Sequence, residues 1–162
     1  MFNSNRVIPR TMSNPGTLLS GIFRLTVDYR QSWEEMIAAG RYDWVHDNIT
    51  SEHFPVTGDG IIEFEARYFI FNNFTSSEEV TRRIEATAWS RAKIEHMLSH
   101  GKTFPQEQRE FPIVGLGSIA TINGKNRTPV FIHPVSERYL SLDSVDTDWY
   151  PVCRFLSVRK IL

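Results

Sequence analysis

Apolar and polar positions alternate along Ile62–Arg67, with Ile62, Phe64 and Ala66 on one side and Glu63, Glu65 and Arg67 on the other. The run then becomes apolar throughout at Tyr68–Phe71. A two-residue period of this kind predicts a long strand, half exposed where it begins and buried where it ends. Gly58-Asp59-Gly60 supplies a turn before it. Upstream, IFRLTVDY (22–29) is rich in β-branched and aromatic residues and predicts another strand. From Phe111 onward, FPIVGLGSIATING, TPVFIHPVS, RYLSLDS and CRFLSVRKIL are strand-like, separated by polar turns. Asn123-Gly124 is the strongest of the turn signals.

Between these segments the period changes to that of a helix. SWEEMIAAG (32–40) opens on a capping box, Ser32 with Glu35, places Trp33, Met36 and Ile37 on one face and stops at Gly40. TSSEEVTRRIEATA carries a second capping box, Ser76 with Glu79, and a buried stripe at Val80 and Ile84. After a short β-like break at Thr87–Trp89, RAKIEHMLSHG is a third helix with Ile94, Met97 and Leu98 apolar. The helices are grouped rather than alternating with strands. The fold expected is α+β: an antiparallel sheet with about three short helices, one domain over residues 21–162. Residues 1–20, rich in Asn, Ser, Pro and Gly, are expected to be a flexible or loosely docked arm.

Composition narrows the class without choosing a function. The 162 residues suffice for one core, so no disulfide or metal is needed as a staple. The single cysteine, Cys153, excludes an intramolecular disulfide and favours a reducing, cytoplasmic setting. No secretory segment precedes the three sequons at Asn48, Asn73 and Asn126, and no apolar run approaches the ~20 residues of a membrane span. Net charge is −1, distributed as +3 over residues 1–27, −7 over 28–65 and +3 over 66–162. The acidic middle block is either a solvated face or a surface for a basic partner or a cation. No nucleic acid is expected as a partner, since the basic excess is missing.

The segments VDYRQSWEEMIAAGRYDWVHDNITSEHFP, QREFPIVGLGS and VCRFLSVRK, in this order and spacing, resemble the landmarks of a family of small bacterial proteins from candidate-phyla and metagenomic genomes. The resemblance spans roughly residues 22–160. It implies no activity, because the family has none established. The chain departs from that pattern before the third helix, with Lys93 and Glu95 where relatives have a Thr cap and a Pro. KNRTPVFIHPVSERY is also less aromatic. In architecture, residues 61–160 are similar to the C-type-lectin-like fold, but the calcium and sugar signatures of that fold are absent.

Several groups invite chemistry. His46, Asp47, Glu52 and His53 offer nitrogen and carboxylate ligands for a metal, although the His-to-His spacing matches no known metal motif. In the bland alternative, residues 43–47 form a helical turn with Trp44 packed and Asp43, His46 and Asp47 in solvent. His96 and His100 share one helix face, with neither a third ligand nor the glutamate of HExxH. Cys153 stands near Arg154, Arg159 and Lys160, which would favour a thiolate, but it starts an apolar strand, where a free cysteine is usually a small buried hydrophobe. GLGS (115–118) lacks the spacing of a phosphate-binding loop and suits a strand interior where two backbones come close. In DTDWYP, an exposed Trp149–Tyr150 pair rimmed by Asp146 and Asp148, with Arg138 nearby, would suit a binding surface.

No nucleophile, base and oxyanion donor occur together, so the leading expectation is a non-enzymatic intracellular binding domain, without a cofactor, for an unknown protein or small-molecule ligand. Its contact surface would be the loop-rich span Asn123–Tyr150, with the acidic 43–53 segment as a candidate extension. Two other readings stay open: a small metal-dependent hydrolase using His46, Asp47 and His53, and a phage or mobile-element accessory protein whose acidic block binds a basic host factor.

Overall fold

The computed structural model describes residues 11–14 and 16–162. Eleven strands among the described residues join in one sheet, and three helices lie on its two faces. The strands are β1 (Thr11–Asn14), β2 (Thr17–Leu19), β3 (Phe23–Asp28), β4 (Trp44–Val45), β5 (Ile61–Phe71), β6 (Ser90–Arg91), β7 (Ile113–Val114), β8 (Ala120–Ile122), β9 (Lys125–Ile132), β10 (Tyr139–Ser144) and β11 (Arg154–Lys160). The helices are α1 (Trp33–Ala39), α2 (Ser77–Glu85) and α3 (Ile94–Thr103). The class is α+β and the sheet mostly antiparallel; β11 with β7 and β10 with β4 are parallel.

The main path through the sheet is β1-β2-β5-β11-β7-β9-β10-β4, with β3 also on β5, β6 on β11 and β8 on β9. The long alternating segment, β5, pairs with β2, β3 and β11. Its alternation assigns two cores. Phe64, Ala66, Tyr68 and Ile70 face a cluster with Leu156, Val158 and the α1 and α3 residues Met36, Ile94 and Met97. Phe69 and Phe71 point the other way, into a cluster with Phe155, Trp149 and the α2 residues Val80 and Ile84. Each buried Phe, Ile, Leu, Val or Met among these contributes about 1.5–3 kcal/mol of hydrophobic burial. The apolar run at the end of β5 thus reflects helices on both faces, whereas Glu63, Glu65 and Arg67 lie where α2 no longer covers the sheet.

Ser32 and Ser76 cap α1 and α2 by accepting from the Glu35 and Glu79 amides. Both expected boxes are half-formed: the serine halves are made, but neither glutamate returns a bond to its cap amide, and the Glu79 carboxylate instead takes Arg82 and Arg83. Lys93 cannot cap α3 by accepting, so the His96 ring accepts the Lys93 N–H at 2.9 Å and Ser118 Oγ accepts from the Ile94 amide.

Two expectations change. Residues 11–14 and 17–19 are strands of the sheet rather than an arm, because Thr17–Leu19 find unpaired positions on Phe69–Phe71 of β5; residues 1–10 and 15 lie outside the described residues. GLGS is a turn after β7 rather than a strand interior, although the close approach is real. A Cβ on Gly117 would lie 2.5 Å from the Arg91 carbonyl oxygen.

Candidate functional site

The 43–53 segment does not gather its metal-ligand types. Trp44–Val45 is a strand alongside β10, not a helical turn, fixed by Asp43 N–H donating to Arg138 O and Arg138 N–H donating to Asp43 Oδ2. His46 Nδ1 accepts from the Asn48 amide, and His53 Nδ1 donates to the Asn48 carbonyl at 3.0 Å, so both rings close a local turn. Ile49 and Phe54 are the buried anchors, while Asp47 and Glu52 are exposed. His46 lines a groove with Lys125 and Arg127, cationic company that opposes a metal ion. Among the described residues no three His, Cys, Asp or Glu side chains form a metal-holding group.

The Trp149 surface is also rearranged. Trp149 is buried, its indole N–H donating to Ser77 Oγ at 2.8 Å, so it plugs the α2 face instead of presenting a ring. Tyr150 is 64% exposed and packs on Phe74, itself 60% exposed, with ring centroids 5.0 Å apart. Asp146 and Asp148 remain exposed. Arg138 is buried and structural: its guanidinium donates to Gly40 O at 2.7 Å and Gly101 O at 3.0 Å, and lies over the Tyr42 ring. It therefore satisfies carbonyls at the C-terminal ends of two helices, where positive charge is favoured. Burial lowers its pKa from the ordinary arginine value.

His96 and His100 are both buried. Burial first, and nearby Lys93 or Arg138 second, bring each pKa down to about 3, so both rings are neutral. His96 caps α3 and His100 bonds Tyr68, which spreads the pair over two local tasks. Burial is the main cause that raises the Cys153 thiol to about 11, so the neighbouring cations do not make it a thiolate.

A cleft of about 230 Å³ opens between β3, α1 and α3. Its α3 wall is Glu95, Leu98, Ser99 and Lys102, the i, i+3, i+4, i+7 stripe that one helix face presents. Met36 and Ala39 of α1 form the opposite wall, and Asp28 stands at the end of β3. Glu95 is 5% exposed. The Tyr29 hydroxyl donates to Glu95 Oε2 at 3.3 Å, whereas Oε1 is enclosed and has no hydrogen-bonding partner among the described residues. Burial, and then the Glu95 charge, push the Tyr29 phenol up to about 12, which keeps it a donor. Gly58 makes room for the Tyr29 ring, since a Cβ there would lie 2.5 Å from it. Glu95 also sits in the first turn of α3, where the helix dipole favours negative charge. Ser99 Oγ donates to Thr26 O and fixes α3 to β3.

The sequence points away from this cleft, because an acid in a first helical turn is ordinary capping chemistry. Only the meeting of Glu95 with Tyr29, 66 positions earlier in the chain, makes it distinctive. No protein-family model matches the chain, and no curated protein or solved structure matches it either. No helix of the described residues is long and apolar enough to cross a membrane.

Proposed function

We propose that this chain is a binding domain that takes a small molecule in the cleft between α1 and α3. The supporting observation is Glu95, an enclosed carboxylate in the cleft wall with one oxygen partnered and the other not. Buried polar atoms are nearly always satisfied, and those left over in a concave site are where a ligand repays the desolvation. The remaining lining is mixed, with Leu98 and Met36 for apolar contact and Ser99 and Lys102 for polar contact.

Thermal-shift measurement against a chemically mixed set of small molecules tests this, using the native chain and Ala39→Phe, which fills the cleft from α1. At least one chemical class should raise the Tm of the native chain and leave Ala39→Phe unmoved. If no compound distinguishes the two, the cleft is a surface depression and this reading falls.

A second reading rests on Phe74 and Tyr150. Two exposed rings tilted against each other, with Val152 also 59% exposed and the acids Asp146 and Asp148 nearby, suit a protein partner with an apolar centre and a basic rim. A photo-crosslinking residue at position 150 should give one discrete adduct in cells, lost when Asp146 and Asp148 are both changed to Lys. Absence of an adduct, or one indifferent to those charges, counts against it.

A further inference from the structure

Building on the cleft's being a ligand site, we infer that its ligand is a small organic cation, a protonated amine or guanidinium whose N–H donates to Glu95 Oε1. Three observations carry this. Glu95 is the deeply buried polar group of the cleft wall, and its unpartnered atom is an acceptor, so the complementary group is a donor. A donor carrying positive charge makes the shorter and stronger bond to a carboxylate and offsets the burial of that charge.

The local charge agrees. Asp28, Glu95 and Lys102 line the cleft, and Asp28 is already held by Arg30 through two bonds of 2.9 Å, so Glu95 is the acid of the lining that is left for a ligand. Lys102 lies two helical turns from Glu95, about 10 Å along the axis, too far to occupy Oε1 itself. It is exposed and free to turn to solvent. An anion entering the cleft would meet the Glu95 charge, while the Tyr29 hydroxyl is committed to Oε2 and the Ser99 hydroxyl to Thr26 O. The apolar walls, Leu98 and Met36, suit the carbon portion of an alkyl amine. Because Oε1 is enclosed, binding requires the glutamate to turn about its soft terminal torsion, with the Tyr29 hydroxyl following one of its oxygens.

Backbone amide NMR of the full chain, titrated separately with n-butylammonium, 1-butanol and butyrate, tests the assignment. The amine and the alcohol have the same shape and differ in charge. The expected result is saturable shifts at residues 26–28, 36–39 and 95–103 with n-butylammonium, at least tenfold weaker binding in Glu95→Gln, and no comparable response to 1-butanol or butyrate. Glu95→Gln keeps the side chain's size and an acceptor for Tyr29, and its unchanged spectrum elsewhere shows that the fold is retained. If butyrate or 1-butanol shifts the same amides as well as the amine does, or if Glu95→Gln binds the amine equally, the cation assignment is overturned while the cleft remains a site. If none of the three probes shifts these amides and the thermal-shift set gives no hit, the cleft reading itself falls.

Discussion

The Tyr68 hydroxyl and His100 Nε2 meet in a hydrogen bond inside the sheet face covered by α1 and α3, and both side chains are sealed from solvent. Burial holds the phenol well above its ordinary value and brings the imidazole down to about 3, so the bond joins neutral partners. Protonating His100 would place an uncompensated charge there.

Stability should therefore depend on pH between about 6.5 and 3. Unfolded histidine takes up its proton near 6.5, whereas His96 and His100 in the fold do so only near 3. Between those values the unfolded chain binds more protons. The stabilisation is fully present above about pH 6.5 and is lost as pH falls toward 3, by up to about 1.4 kcal/mol per pH unit for each histidine. Urea midpoints at pH 7.5 and pH 5 check this: the midpoint should drop, and His96→Asn should flatten the slope while keeping an acceptor for the Lys93 amide. Equal midpoints at the two pH values would refute it.

Arg138 holds α1 and α3 together by their C-terminal carbonyls, Gly40 O and Gly101 O. Arg138→Met should cost about 3 kcal/mol or more, since charged hydrogen bonds are lost and buried carbonyls are left bare. Arg138→Lys should recover less than half, because one ammonium cannot reproduce the fork. Equilibrium unfolding of the three proteins decides it; a lysine variant as stable as the native chain would show that charge alone matters.

Gly117 marks where the turn after β7 touches the strand before α3. A Cβ there would lie 2.5 Å from Arg91 O and 2.6 Å from Ala92 O, both backbone atoms that cannot swing aside. Gly117→Ala should destabilise by about 1–3 kcal/mol, read as a lower denaturant midpoint at unchanged m-value.

Val135 carries the opposite opportunity. It is β-branched, 96% exposed, and held at φ 55°, a left-handed conformation that such a side chain resists. Val135→Asn should raise stability by about 1 kcal/mol, visible as a higher Tm, because asparagine tolerates this region. A fall in Tm would mean that the valine methyls make a contact worth more than the strain.

The β5 alternation, the Ser32 and Ser76 caps and the strands after Phe111 are local signals, and they fold as their spacing indicates. Pairings across long separations leave no such trace. Thr17–Leu19 look like loop until β5 offers an edge. Trp149 looks exposed among acids until Ser77 receives its indole proton. Arg138 looks like a surface cation until two helix ends converge on it. His46 and His53 look like ligands, but their ring nitrogens satisfy the backbone of their own turn. Glu95 was hidden for the same reason: its meaning depends on Tyr29.

The place of β11 has a kinetic consequence. It stands between β5 and β7, pairing Arg154 with Ile70 on one side and with Ile113 on the other. Without it, β1-β2-β5 with β3 and β7-β9-β10-β4 with β8 are two half-sheets with no shared ladder. Neither half can be sealed until a contact spanning residues 70 to 154 closes, so loop-closure entropy is spent before most of the sheet's reward arrives. During synthesis the Phe69–Phe71 end of β5 waits with one edge bare for over half the chain to follow, the interval in which chaperones would be most needed.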